Sequence, residues 1–175
     1  MPIDPTRAFV PVRLAILTVS DTRDASNDAS GDLLVERATT AGHTVAVRRI
    51  IPDDRARIEA ALRELIATPD IDVVIATGGT GITGRDVTPE AFHAVYEKEI
   101  VGFGELFRQL SYASIGTSTI QSRATAGVAG GTYLFALPGS TSACRDAWDQ
   151  ILSTQLDSRY RPCNFVELMP RLRER

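Results

Sequence analysis

The run Val73-Val74-Ile75-Ala76-Thr77 passes directly into Gly78-Gly79-Thr80-Gly81-Ile82-Thr83-Gly84, and that junction limits the folds open to the chain. An unbroken, β-branched apolar run predicts a strand buried on both faces. Four glycines among seven residues (78 to 84) then form a loop whose ordering costs more entropy than a short turn would. Thr88 as N-cap and Pro89 at the first helical position predict a helix start. Strand, glycine loop and helix in this order turn backbone N–H groups toward an anion at the carboxyl edge of an α/β sheet. Thr80 adds a hydroxyl to the loop. Asp86, just ahead of the helix, is a carboxylate suited either to a metal or to the helix dipole.

The flanking sequence repeats the pattern. Arg13 to Val19 reads as a first buried strand ending at Ser20-Asp21, followed by polar loop from Thr22 to Gly31 and a helix from Asp32 to Ala41. Thr44 to Ile51 reads as a strand broken by Pro52-Asp53-Asp54, and Ile58, Leu62, Leu65 and Ile66 place one apolar stripe on the next helix. A helix over about 89–99 and another carrying Phe103, Leu106, Phe107 and Leu110 follow. Ser111 to Gln121 reads as a connection, and Ser122 to Gly131 fits strand or helix. Thr132 to Leu137 is a strand closed by Pro138-Gly139-Ser140, and a helix spans about 141–156. The expectation is a three-layer α/β/α fold with a mostly parallel sheet. Residues 1–11 form an N-terminal arm, 12–157 the domain, and 158–175 an arginine-rich tail. Ser20-Asp21, Thr77 to Gly81 and Pro138 to Ser140 then share the sheet edge where such folds bind ligands.

Composition narrows the function. A net charge of −3 gives nucleic acid no general footprint to grip. Lys98 is the single lysine, so the lysine of a P-loop is missing and no G-K-[ST] follows the glycine loop. Cys144 and Cys163 sit in no C-x-x-C or Cys/His cluster, which leaves zinc and redox motifs unsupported and favours reduced thiols in a cytoplasmic protein. Met1 to Pro11 contains three prolines and no apolar signal core, and no stretch is long enough to span a bilayer. His43 and His93 fit no catalytic triad, since no G-x-S-x-G elbow exists.

The stretches LTVSD (17–21), IIPDD (50–54), TGGTG (77–81), RDVTPEA (85–91), GFGE (102–105), QSR (121–123) and LPGS (137–140) resemble the molybdenum cofactor biosynthesis proteins of the MoaB/MogA family. The ending RPCNF (161–165) is more similar to the MoaB branch. The resemblance implies a MogA-like molybdopterin-binding fold and an adenylyltransferase that uses ATP and Mg²⁺ to place AMP on the terminal phosphate of molybdopterin, releasing pyrophosphate. It also implies a homotrimer or homohexamer and contact with other proteins of the pathway. Carried onto this chain, Thr80, Ser111 and Ser122 hold molybdopterin, and Asp53 and Asp86 serve catalysis and the metal. Arg123 is the nearest cationic partner for phosphate.

Bland readings stand beside these. Asp53 follows a proline ahead of a helix, where N-capping alone would account for it, and Ser140 is equally well placed to cap the last helix. A MoaB-branch protein that binds molybdopterin or its precursor without turnover is the alternative to the enzyme. A dinucleotide oxidoreductase fits poorly, because the loop is G-G-T-G after the third strand and not G-x-G-x-x-G after the first.

Overall fold

In the computed structural model, which describes residues 3–174, the inner strands of the central sheet divide their side chains between two cores. Val73 and Ile75 of β3 (Val73–Thr77) face one cluster, and Val74 and Ala76 face the other. Leu14 and Ile16 alternate with Ala15 and Leu17 along β1 (Arg13–Val19) in the same way. This period-two division is why both runs are apolar throughout, as a sheet covered on both faces requires. The first core is roofed by α1 (Ala29–Thr40), α4 (Val101–Ile115) and α5 (Thr141–Ala147), the second by α2 (Arg55–Ala67) and α3 (Thr88–His93).

The sheet has six strands in the order β2-β1-β3-β6-β5-β4, with β2 (Thr44–Ile51), β4 (Lys98–Glu99), β5 (Thr125–Ala129) and β6 (Thr132–Leu137) completing it. The pairs β1–β2, β1–β3 and β3–β6 are parallel. The pairs β5–β6 and β4–β5 are antiparallel. The chain leaves β1 toward β2 and returns to β3 on the other side, so the carboxyl ends of β1 and β3 form a topological switch point, and β6 ends beside them. The expected three-layer α/β/α architecture is the one observed.

Several boundaries differ from the sequence reading. Helix α1 starts at Ala29, because Asp28 accepts the Gly31 N–H at 3.0 Å and caps it three residues earlier than expected. Helix α3 ends at His93, and residues 98–99, expected as helix, pair with β5. Helix α4 continues through Ile115 and a 3₁₀ turn covers Gly116–Gln121, where a loop was expected. After α5 the chain makes a π-helical segment (Trp148–Leu152) before α6 (Ser153–Gln155), so the last helix is continuous but widened.

The tail also has structure. Asn164 caps α7 (Phe165–Leu168), whose Phe165 ring stands 4.8 Å from Tyr133 and 5.8 Å from Phe135. The arm holds the tail down through Asp4 N–H to Arg159 O (3.0 Å) and Val10 N–H to Ser158 Oγ (2.8 Å). Phe165→Ala is therefore expected to cost about 2–3 kcal/mol by opening this aromatic cluster. Differential scanning calorimetry should show a midpoint lower by about 5–10 °C.

Candidate functional site

The glycine loop is held by its carbonyls and by some of its amides, and leaves two amides, those of Gly79 and Thr80, uncommitted. Gly79 O accepts from Thr88 N–H (3.0 Å), Thr80 O from Arg123 N–H (3.1 Å), and Gly81 O from Arg123 Nε (2.7 Å). The N–H groups of Gly79 and Thr80 find no acceptor among the described residues. Backbone donors fixed outward by committed carbonyls form an anion-binding nest. Gly78 and Gly79 adopt φ of +109° and +64°, conformations that glycine alone takes without cost. Gly78 N–H donates to Leu137 O at 3.0 Å, stitching this loop to the end of β6.

Two carboxylates flank the loop on different terms. Asp86 sits beneath Gly81, where its Oδ2 accepts from the Thr83 N–H (2.9 Å) and the Thr83 hydroxyl (2.6 Å). Partial burial works to raise its pKa, but the Thr83 donors, the Gly81 N–H and nearby Arg123 outweigh it and hold the carboxyl below its ordinary value. Asp53 lies against Gly79, and its pKa is pushed up by burial first, with the charges of Asp86 and Asp21 adding to the effect, and the Val87 N–H and the charge of Arg85 offset only part of the rise. Asp53 Oδ1 and the hydroxyl of Thr88 are buried without a hydrogen-bond partner, and they stand 2.9 and 2.4 Å from where a Cβ on Gly79 would be. Asp53 is not an N-cap. Asp54 takes that role on α2, accepting the Arg57 N–H at 2.9 Å. Thr88 is not an N-cap either, since Val87 occupies that position and no side chain caps α3.

Above the loop lies a cleft of about 410 Å³. Its floor is Gly79, Thr80, Gly81 and Asp86, with Pro138, Gly139 and Ser140 beside them. One wall is α4, through Phe107, Ser111 and Ile115 at i, i+4 and i+8. The facing wall is α5, through Ala143 and Asp146. Ser122 and Gln121 close a third side. Thr80, Ser111, Ser122 and Ser140 thus share one cavity with Asp86. Ser140 also caps α5, its Oγ accepting from Ala143 N–H at 3.2 Å.

Other expected residues stand elsewhere. Arg123 does not line the cleft: its guanidinium bonds Gly81 O, Asp86 O (2.8 Å) and Glu90, so it braces the loop from outside. Thr77 is fully buried and donates to Pro138 O at 2.9 Å, fastening β3 to the loop after β6. Its neighbour Cys144 is buried, with a thiol pushed up to about 11, which suits packing and not nucleophilic chemistry. Ser20 Oγ accepts the Thr22 and Arg23 N–H groups (3.2 and 3.1 Å) and so shapes its own loop. Asp21 pairs with Arg85 and accepts the Asp53 N–H at 3.2 Å, setting the position of Asp53.

Sequence reading missed a supporting set. Arg23 donates to Gly139 O at 2.9 Å and contacts Ser30 and Asp28, tying the first loop to the third. Asp28 is fully buried, bonded by Thr18 Oγ1 (2.7 Å) and Arg48 (3.1 Å). The wall residues Phe107 and Ile115 were also missed, although their spacing with Ser111 was available once α4 is extended to Ile115.

A crevice at the switch point of a doubly covered sheet, floored by an amide-presenting glycine loop, defines an α/β protein built to hold an anionic small molecule. A family profile described as "Probable molybdopterin binding domain" matches residues 15–158, and the chain belongs to that family. It is 52% identical over 157 residues to molybdenum cofactor biosynthesis protein B of Escherichia coli strain K12, covering 90% of this chain and 92% of the relative. A crystal structure of a molybdenum cofactor biosynthesis protein B superposes with a TM-score of 0.87 at 41% identity, covering 97% of this chain and 100% of the other. The tungsten cofactor synthesizing protein MoaB of Pyrococcus furiosus gives 0.77 at 35% identity, over 94% and 98%.

Proposed function

We propose that this chain acts in molybdenum cofactor biosynthesis, binding molybdopterin in the cleft and transferring AMP from ATP to its terminal phosphate. Family membership and the name carried by the E. coli relative support the pathway. The observation that carries the chemistry is the charge of the cleft: its lining includes Asp86 and Asp146 and no lysine or arginine. A cation beside the amides would offset the repulsion between these carboxylates and a phosphate. Asp53 and Asp86 are the residues that would hold a magnesium ion: Asp86 lines the cleft and is held below its ordinary pKa, and Asp53, behind Gly79 and outside that lining, keeps a buried oxygen without a partner. Among the described residues no third acidic, histidine or cysteine ligand joins them, so substrate oxygens and water would complete the shell. Magnesium, when bound, would neutralise the transferring phosphoryl group and the departing pyrophosphate.

The chain's own groups hold and orient. The Gly79 and Thr80 amides cradle phosphate oxygens, and the hydroxyls of Thr80, Ser111, Ser122 and Ser140 offer further hydrogen bonds. A terminal phosphate oxygen then attacks the α-phosphorus of ATP. The new P–O bond forms as the bond to the pyrophosphate oxygen breaks, and positioning supplies most of the rate.

The homotrimer or homohexamer implied by the family resemblance would have a contact surface available in exposed Leu106 and Tyr112 on α4, with Ile120 beyond it. No helix among the described residues is long and apolar enough to cross a membrane, which supports our placing the protein in the cytoplasm. Incubation with molybdopterin, ATP and Mg²⁺ tests the proposal. AMP-modified molybdopterin and equimolar pyrophosphate are expected, with both absent after EDTA. Ligand retained without pyrophosphate would instead establish the non-catalytic binder.

A further inference from the structure

The cleft has two chemically different ends, and the far one carries a charge with no assigned task. Helix α5 leaves the loop at Ser140 and runs along the cleft, placing Asp146 about 9 Å further on at 1.5 Å per residue. Asp146 is half-buried and lines the cavity together with Phe107, Ser111 and Ile115 of α4. The next acid on the same stretch, Asp149, is paired with Arg37 at 3.0 Å. Asp146 makes no ion pair or side-chain hydrogen bond among the described residues. The cavity thus presents amide donors at its glycine loop and, two turns along α5 from Ser140, an unpaired acceptor in a lining that includes Phe107 and Ile115.

A carboxylate accepts through two oxygens held in one plane, and its best neutral partner is a pair of adjacent N–H donors. A pterin has such a pair on its aminopyrimidinone edge, in the ring N3–H and the 2-amino group. We propose that Asp146 is a specificity-determining residue of the cleft, accepting this donor pair and so fixing which way a phosphate-bearing pterin lies. The inference rests on the molybdopterin reading above and adds the group that recognises the ring. A ring with a carbonyl in place of the 2-amino group would set an oxygen against the carboxylate, and a half-buried carboxylate facing an acceptor loses its solvation without compensation.

The test uses fluorescence titration of the intact protein with two probes, 6-hydroxymethylpterin monophosphate and its 2-oxo lumazine counterpart, with Mg²⁺ present. Wild type is expected to prefer the amino ring by about tenfold or more, the scale of one hydrogen bond to a charged group. In Asp146→Asn the preference should fall below about threefold, because the amide can donate to the 2-oxo group, and thermal melting should be unchanged. Asp146→Ala should lose the preference as well. A preference kept above threefold in both variants overturns the role of Asp146 while leaving molybdopterin binding intact. Failure of wild type to bind either probe or molybdopterin itself overturns both readings together.

Discussion

Asp53→Asn should slow AMP transfer severely and, at neutral pH, make the protein more resistant to heat. The two effects share one cause. Burial and the neighbouring charges of Asp86 and Asp21 raise the Asp53 pKa above its ordinary 3.8, and its Oδ1 has no donor in return. A carboxyl whose folded pKa is raised contributes most stability below its unfolded pKa and loses it as pH rises through the folded value. At neutral pH the ionised group therefore works against the fold, and a neutral amide removes that cost. A rise in melting temperature of about 2 °C is expected. The gap between variant and wild type should close as pH falls toward 3.8. Pyrophosphate release should drop by about 10²–10³, the scale of losing a preorganised electrostatic contact. A variant that turns over normally would remove Asp53 from the metal site, and one that melts earlier at neutral pH would overturn the destabilising role of its charge. Asp86→Asn provides the contrast, since the Asp86 pKa is held low by hydrogen bonds and its charge supports the fold above the unfolded pKa. That variant should lose activity and stability together.

How far the sequence revealed this site depended on what each segment buries. Strands β1, β2, β3 and β6 were read to the residue, because each is rich in β-branched or apolar residues, β2 despite Arg48 and Arg49, and is closed by polar or turn residues. Strand β5 was not. Its sequence, Thr-Ala-Gly-Val-Ala, is built of small residues because Gly127 lies under the ring of Tyr96, 2.4 Å from where a Cβ would stand. No local pattern carries that long-range demand. The ends of β1, β3 and β6 were expected at one edge, and the parallel pairing brings them there. The cleft walls were hidden for a different reason: serines and threonines from 111 onward read as a connection, while tertiary packing carries α4 through Ile115. Asp53 and Asp54 are adjacent and chemically equal in sequence. The structure separates them, giving Asp54 the cap and leaving Asp53 with an unmatched oxygen. Arg123 shows the converse. Its position beside the loop was legible, but its commitment to loop carbonyls is a matter of direction that no spacing encodes.

The glycines of the loop, identical in the sequence, should respond to alanine in opposite ways. Gly84 has nothing within 4 Å of an added Cβ and lies outside the left-handed region. Gly84→Ala is therefore expected to stay within about 0.5 kcal/mol of wild type. Gly79 has φ of +64°, and a Cβ there would lie 2.4 Å from Thr88 Oγ1 and 2.8 Å from Asp53 Oδ2. Strained backbone and overpacking together should cost about 2–4 kcal/mol, lowering the melting temperature by about 5–15 °C. The methyl would also displace Asp53, the carboxylate with the unmatched oxygen, and turn the amides of Gly79 and Thr80 out of register. Phosphate transfer should then fall by at least the factor expected for Asp53→Asn, and no gain in heat resistance should accompany the loss. Removing the Thr88 hydroxyl in the same chain should return part of the stability, because it clears the nearest overlap, but little of the activity, since Asp53 stays crowded. Calorimetry and pyrophosphate release measured on Gly84→Ala, Gly79→Ala and Gly79→Ala/Thr88→Ala decide the matter. Equal behaviour of the two single variants would mean that the loop's glycines serve flexibility alone, and that the amide cradle does not set the geometry of the reaction.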